Sequence, residues 1–500
     1  MNTLYELGYD DTDPKSIELF ASKLIGLTFS DVLHRQGLAL TDGKDEGFYG
    51  NVSRKGGLGN LLEERYFGYK ANSESAPDFP KAGVELKATP YQRNKNGSLR
   101  AGERLVLTMI DYNGPVDDDF FKSHLWMKCR LILLIYYLRD RSLHDNLLYP
   151  IGYVKLFTPP ADDIPIIRRD YEFIISKIRS GAAETLSEGD TMYLGACTKG
   201  ATALQSIVRQ FYPPHADAHK RAFCYKVSYM TIVLNSYIAG RPSKSESVVK
   251  SADELRRSSF EALVVRRIRK YVGMKDEDIC KALRLDSVMN KSHFISLAFR
   301  MLGIRSNKAI EFEKADITVK AIRVKDDGHI VESSSLPQVV FKELVGETWE
   351  ESTLNDYLST KKFLFVVFKS VGGAYKLAGS MLWNMPYEDL LVVHREWQTY
   401  VDQLRSGIRF TKSMDKNGKI VIDNDLPKKS STKIIHMRPH AAKAYYRLSD
   451  GEVIGDGKPT DADVLPDGRM MTKQSFWLNN SYMERIISSV MKKGRKKRSS

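Results

Sequence analysis

A short stretch of this sequence occurs twice, and that repetition constrains the fold more than any local signal does. Asp78-Phe79-Pro80-Lys81-Ala82-Gly83-Val84-Glu85-Leu86-Lys87-Ala88 lines up with Glu311-Phe312-Glu313-Lys314-Ala315-Asp316-Ile317-Thr318-Val319-Lys320-Ala321, keeping Phe, Lys, Ala, Lys and Ala in register. Further along, Phe223-Cys224-Tyr225-Lys226-Val227-Ser228-Tyr229-Met230 lines up with Phe476-Trp477-Leu478-Asn479-Asn480-Ser481-Tyr482-Met483, which keeps Phe and then Ser-Tyr-Met. Matches near both ends of each half predict two copies of one fold. The length of 500 residues agrees, since single cores stop growing beyond roughly 250–300 residues. The stretch 240–251 is polar and poor in large apolar residues, as a linker would be. The expected division is a first domain over 1–239, a linker over 240–253, a second domain over 254–490 and a basic tail over 491–500.

Within the first copy, 84–89 alternates apolar and polar residues, the period of a half-buried strand. Val84, Leu86 and Ala88 then share one face, and Glu85, Lys87 and Thr89 the other. Asp78 lies just upstream in a turn punctuated by Pro77, Pro80 and Gly83, from which it can fold back and supply a second carboxylate. Two carboxylates suit a hard divalent cation, and an adjacent lysine can hold an attacking water and offset phosphate charge. The trio Asp78, Glu85 and Lys87 therefore suits phosphodiester hydrolysis. The second copy has Thr318 where the first has Glu85, with Glu311 and Lys320 in place of Asp78 and Lys87. A hydroxyl is a poor substitute for an anionic ligand, so the second copy is expected to bind without cutting.

Other elements follow from periodicity. Ile17, Phe20, Ala21, Leu24 and Leu27 mark an opening amphipathic helix over 14–33, with Asp13 as N-cap and Pro14 at its first position. The turn Lys55-Gly56-Gly57-Leu58-Gly59 precedes a helix over 60–67 that carries Glu63 beside its apolar face. Strands are expected over 84–89, 104–110 and 129–137, and a helix over 166–180.

The chain carries 76 Lys and Arg against 62 Asp and Glu, a net +14, which favours a polyanionic partner. The terminal Lys492, Lys493, Arg495, Lys496, Lys497 and Arg498 account for six of those charges, so the body remains basic without them. Four scattered cysteines give neither a disulfide framework nor a zinc knuckle and fit a reducing cytoplasm. No run approaches a membrane span. Tyr193, Tyr225 and Tyr229 read as core residues, and His124 and His215 show no ligand spacing.

Taken together, Lys55-Gly56-Gly57-Leu58-Gly59 with Leu61-Leu62-Glu63, then Asp78, then Val84-Glu85-Leu86-Lys87 resemble the MutH family of DNA endonucleases. Ser123-His124 with Lys128 is similar to that family's basic segment after the catalytic strands. Tyr193-Leu194 through Lys199-Gly200-Ala201 is similar to its DNA-reading strand and loop, and Phe223 to Met230 to the strand that follows. In the second half, His436-Met437-Arg438-Pro439-His440-Ala441-Ala442 resembles the same reading loop more closely. A tandem of this length is similar to the staphylococcal-type restriction endonucleases that cut at GATC.

The resemblance implies an α/β (α+β) restriction-endonuclease-like fold of the PD-(D/E)XK class, with a mixed sheet flanked by helices in each of two tandem MutH-like domains. It implies a type II restriction endonuclease that hydrolyses double-stranded GATC with Mg²⁺ and leaves 5′-phosphates. Asp78 and Glu85 would hold the metal, with the Leu86 carbonyl and Glu63 available to complete the shell. Lys87 would orient water and Lys128 would support the phosphate. Lys199, Arg438, His440 and Lys443 are the candidate DNA contacts, Arg438 because its planar fork can take guanine bidentately. The chain is expected to be monomeric when free, with a dimer or two-site complex on DNA. A mismatch-repair nicking enzyme of the same family would need only one domain, and a non-cutting DNA-binding protein would not need the intact acids.

Overall fold

A computed structural model describes residues 8–34, 44–51, 56–70, 76–140, 142–199, 206–285 and 292–493. Lys55, Gly200, Ala201 and the end of the basic tail lie outside these. The chain divides into two compact units. The first comprises Met1–Phe260 and Lys308–Asp316, and the second Glu261–Asn307 and Ile317–Ser500.

In the first unit the strands are β1 (Glu85–Arg93), β2 (Leu99–Ala101), β3 (Leu105–Met109), β4 (Ile132–Leu138), β5 (Ile151–Phe157), β6 (Leu194–Thr198), β7 (Ile207–Arg209), β8 (Asp217–His219) and β9 (Arg221–Tyr225). One sheet has the order β2-β1-β4-β5, with β1 parallel to β4 and the other neighbours antiparallel. A second, antiparallel sheet has the order β3-β9-β6, and β7 and β8 form a hairpin. Leu86, Leu133, Ile135 and Val154 pack on Ile17, Ala21, Leu24, Phe29, Leu61 and Leu62 from the opening helices, all buried. The single helix expected over 14–33 is two, Pro14–Ser22 and Phe29–Leu33, because Thr28 starts a new one by accepting from the Asp31 N–H. Asp13 caps the first through the N–H groups of Lys15 and Ser16. Cys129 ends a helix, His124–Cys129, instead of beginning a strand, since Ser123 caps that helix through the Trp126 N–H. The strand at Phe223 stops at Tyr225, and Val227–Ile232 is helical.

The helix Ile164–Arg179 buries Ile167, Tyr171, Ile174 and Ile178 at helical spacing. Asp170 lies on the same buried face. Its carboxylate accepts from the backbone N–H groups of Met192, Tyr193 and Leu194 at 2.8, 2.7 and 3.0 Å, which fixes where β6 begins.

The second unit holds β10 (Ile317–Val324), β11 (Ser334–Gln338), β12 (Lys362–Val371), β13 (Ala374–Trp383), β14 (Phe410–Met414), β15 (Ile420–Asn424), β16 (Ile435–Pro439), β17 (Tyr446–Arg447), β18 (Val453–Ile454), β19 (Ala462–Val464), β20 (Met470–Thr472) and β21 (Gln474–Leu478). Its sheet β10-β12-β13 has β10 parallel to β12 and β12 antiparallel to β13, the order and sense of β1-β4-β5. Its antiparallel sheet β11-β21-β16 has the order of β3-β9-β6. The helix Tyr387–Ser406 buries Leu390, Val393, Trp397, Tyr400, Val401 and Leu404 against the core, which includes Phe363, Phe365 and Trp383. From it Glu396 accepts from the N–H groups of Lys433, Ile434 and Ile435, at the start of β16.

The stretch expected as a free linker is tied to the first unit. Glu246 bridges to Ala309, and Glu311 accepts from the N–H groups of Val248 and Val249 and from the Ser247 hydroxyl. The unit border falls at Phe260, beyond the expected 240–253, and residues 308–316 return to the first unit. There Lys314 donates to both Asp163 carboxylate oxygens at 2.6 and 2.8 Å, with the Tyr229 hydroxyl 3.2 Å from the same carboxylate. Glu311 therefore does not stand where Asp78 stands: it belongs to the helix Ile310–Ala315, while Asp78 sits in a turn.

Candidate active site

Strand β1 carries the centre of the site. Its N–H and C=O groups alternate in direction, and the Glu85 N–H is spent on the Leu131 carbonyl of the β4 side. The Leu86 N–H and C=O therefore point to the opposite edge, where the Leu86 N–H meets Asp78 Oδ2 at 2.8 Å. Asp78 reaches that point because the intervening turn closes on itself, with Phe79 and Val84 exchanging N–H···O bonds of 2.9 and 3.2 Å. Gly83 makes the turn possible: its φ is +66°, and a Cβ there would lie 2.6 Å from an Arg130 guanidinium nitrogen.

Glu85 is 1% exposed. Its Oε1 accepts from Lys87 Nζ at 2.7 Å and from Lys128 Nζ at 3.3 Å. Its Oε2 is buried with no hydrogen-bond partner. One oxygen thus holds two ammonium groups and the other is left unpaired.

Glu63 comes from the preceding helix, which begins at Gly57 and loosens into a π-helical turn over Leu62–Tyr66. Gly57 is required by a close approach, since a Cβ would fall 2.6 Å from the Tyr49 carbonyl oxygen. Burial, then the negative charge of Asp78, pushes the Glu63 carboxyl up to about 7. Burial and the charge of Glu85 raise Asp78 as well, against the Leu86 N–H and the two lysines.

These residues fit a divalent cation. Glu85 Oε2 is an unsatisfied buried acceptor, Asp78 and Glu63 are acids whose ionisation the site penalises in the absence of positive charge, and the Leu86 carbonyl faces the same edge as Asp78. Among the described residues no three His, Cys, Asp or Glu side chains form a complete cage. The donor set is an open one, in which water or substrate oxygens would supply the remaining ligands.

The pattern of the DNA mismatch repair enzyme MutH matches residues 67–170, a span that includes Asp78, Glu85, Lys87 and Lys128. Over 465 residues the chain is 33% identical to the type II restriction enzyme Sau3AI of Staphylococcus aureus, covering 87% of this chain and 93% of that protein. The chain belongs to the Sau3AI family of type II restriction enzymes. It is a site-specific deoxyribonuclease. This Sau3AI-family chain is also similar to the DNA mismatch repair protein MutH of Shewanella woodyi, 26% identical over 44% of this chain and 92% of that protein. For MutH of Serratia proteamaculans the figures are 29%, 36% and 77%.

The remaining residues singled out in this Sau3AI-family chain fall on both units. Lys199 follows β6 in the first, half-buried, its N–H bonded to the Lys220 carbonyl. Arg438, His440 and Lys443 are exposed in the second. The Arg438 guanidinium lies 3.8 Å over the Trp477 ring, and His440 Nδ1 is 2.7 Å from the Ser475 hydroxyl. Ladder register puts Leu194 opposite Tyr225 and Ile435 opposite Leu478. Counting from these pairs, Lys199 and His440 occupy the same position in their sheets. Tyr193, Tyr225 and Tyr229 are buried core residues.

Sequence reasoning missed Tyr69. Its hydroxyl is buried without a partner, and burial together with the charges of Asp78, Glu63 and Glu85 holds it far above the ordinary tyrosine range. Nothing in the local sequence marks it, because the turn at 76–84 is what brings the acids to it.

Proposed function

We propose that the first unit cuts double-stranded DNA at GATC with Mg²⁺, leaving 5′-phosphates, and that the second unit is a degenerate copy of the same fold that binds DNA without cutting. The observation that carries the cutting site is Glu85: two lysines on one carboxylate oxygen and an unpaired buried oxygen beside Asp78. Bound between Asp78, Glu85 and the Leu86 carbonyl, with Glu63 in reach, a magnesium ion would polarise the scissile phosphate and offset its charge. Lys87 holds the attacking water by donating to its oxygen, and its bond to Glu85 fixes where that water can sit. Lys128, anchored to the same carboxylate, faces the phosphate as a second positive charge.

Duplication is supported by topology. Both units place a parallel strand pair beside an antiparallel third, and both end on an antiparallel three-stranded sheet followed by a helix. Register adds a marker that local identity does not reveal: Asp170 and Glu396 take the N–H groups at corresponding strand starts, 192–194 and 433–435. In the second unit Thr318 and Lys320 occupy the ladder places of Glu85 and Lys87. The mismatch-repair relatives cover less than half of this chain, which favours the restriction enzyme over the nicking enzyme. One active site per chain and two scissile bonds per palindrome favour a dimer or two-site complex on DNA. The four cysteines are buried and unpaired, as suits a reducing cytoplasm.

Unmethylated plasmids with one and two GATC sites, digested with Mg²⁺ or EDTA by wild type and Glu85→Ala, test this reading. The expected products are linear fragments with GATC ends, only with Mg²⁺ and only from wild type. Nicked circles alone would favour the repair enzyme, and intact supercoils would sink the nuclease assignment.

A further inference from the structure

The two units differ between the long helix and the strand that follows it. In the first, two 3-10 turns, Ala183–Thr185 and Glu188–Asp190, lead from the helix Ile164–Arg179 to β6. In the second, the passage from the helix Tyr387–Ser406 to β16 carries the two-stranded ribbon β14–β15. The passages correspond, because Asp170 and Glu396 bind the amides at the far end of each.

The ribbon has a fixed base and an uncovered tip. Phe410 at its base meets Tyr446 edge-on, with ring centroids 5.4 Å apart, and the Arg469 guanidinium lies 4.5 Å over the Phe410 ring. Ion pairs of Lys412 with Glu452 and of Lys419 with Asp456 tie the ribbon to the segment 450–456. Just beyond that segment, the Gly457 N–H donates to the Ala444 carbonyl at 2.8 Å, and a Cβ on Gly457 would lie 3.0 Å from the Lys443 carbonyl oxygen. The ribbon is therefore a neighbour of the segment that carries Arg438, His440 and Lys443. At the other end, Met414 and its cross-strand partner Ile420 are 75% and 44% exposed.

The free charges here have one sign. Lys416, Lys429, Lys433, Arg438 and Lys443 are exposed, and among the described residues no carboxylate forms an ion pair with them. The three acids over 409–443 are all engaged: Asp415 by the turn N–H groups of Asn417 and Lys419, Asp423 by Lys428, and Asp425 by Gln403 and the Arg409 N–H. Such a surface fits a polyanion. Both ribbon strands have a free edge, and lysines beside those edges oppose the addition of another chain's strand. A second ribbon laid on this one would also set Lys416 against Lys416. The major groove of duplex DNA, in contrast, admits a two-stranded ribbon.

We propose that β14–β15 is a DNA-binding arm of the second unit, which lies in a groove of the duplex beside the segment 438–443. Lys416 at its turn donates to a phosphate, and Met414 and Ile420 face the groove floor. The inference rests on the reading that the second unit binds DNA, and names a part of it that makes contact.

The test uses the full chain as wild type, Lys416→Ala, Lys416→Arg, the double variant Met414→Thr, Ile420→Thr, and Arg438→Ala. Binding of a fluorescent unmethylated GATC duplex is followed in EDTA over a salt titration. All the substituted side chains of the ribbon are exposed, so the Tm is expected to stay as in wild type. Lys416→Ala is expected to lower the slope of log affinity against log salt by about 0.9, and Lys416→Arg to restore it. The double variant is expected to bind roughly tenfold more weakly with an unchanged slope, since its lost contacts are apolar. A lowered slope in Lys416→Ala with full affinity in the double variant leaves a phosphate contact alone and overturns insertion into the groove. Weaker binding by Arg438→Ala with no change in any ribbon variant overturns the arm and leaves the DNA-binding reading standing. Wild-type binding by all the variants refutes that reading too. Sedimentation without DNA adds a last outcome: a wild-type dimer that the double variant breaks would make the ribbon a contact between copies and overturn the proposal.

Discussion

Replacing Lys314 by methionine should loosen the first unit although Lys314 lies far along the chain from most of it. Its ammonium is 8% exposed and donates to both oxygens of Asp163, which is 4% exposed. Removing one partner of such a buried pair costs about 3–5 kcal/mol, because the other charge is left without compensation. The Tyr229 hydroxyl still donates to Asp163, which places the expected loss near the lower end, about 3 kcal/mol. Because 1.4 kcal/mol is tenfold, local opening should rise by about two orders of magnitude. Hydrogen exchange of the helices Ile164–Arg179 and Val227–Ile232 reads this directly. The double variant Asp163→Asn, Lys314→Met should recover to within about 1 kcal/mol of wild type, since no charge remains buried. The loss should also depend on pH with a definite sign. Burial already raises the Asp163 carboxyl, and without the lysine its folded pKa moves further above its unfolded value. The penalty is then full above the folded pKa and disappears as pH falls below the unfolded one, so the deficit of Lys314→Met should shrink from pH 8 toward pH 4. Unchanged exchange in the single variant, or a double variant as loose as the single, would refute the docking of 308–316.

Glu85→Gln should cost more than the roughly 100-fold typical of losing a residue that only supports a metal ligand, with duplex binding in EDTA retained; single-turnover cleavage beside anisotropy checks this. Lys128→Ala should slow cleavage by about 10–100-fold, less than Lys87→Ala in the same assay. Tyr69→Phe removes a buried hydroxyl that has no partner, so its Tm should equal or exceed that of wild type, and a fall would reveal a bond that the geometry does not contain. Glu396→Ala leaves the N–H groups of 433–435 without their acceptor and should cost about 2 kcal/mol or more, read by urea denaturation.

The clustering of Asp78, Glu85 and Lys87 was legible because it is local: Glu85 and Lys87 are two residues apart on one strand, and the Pro and Gly turn before them returns Asp78 to that strand. Lys128 and Glu63 needed the family resemblance, since their approach to Glu85 and Asp78 depends on a helix that ends just before β4 and another that precedes the turn. The alignment of Glu311 with Asp78 failed where identity and environment part. The neighbouring Phe and Lys are kept, but 310–315 coils into a helix held by 247–249, so the same letters point elsewhere. The linker was misjudged for a related reason: a polar stretch reads as solvated, and only the fold reveals that a distant carboxylate binds its backbone. Asp170 and Glu396 were invisible to sequence because they serve backbone groups, which carry no residue signature.

Those two carboxylates have a mechanical consequence. A strand held by one side-chain acceptor could still pivot about that bond; a strand whose first amide and the two amides before it converge on one carboxylate has neither pivot nor slide. Helix and strand therefore form one stiff bracket in each unit, with Lys199 at the free end of one and His440 at the free end of the other. A bracket of this kind holds its far end at a set height and angle, with little backbone give.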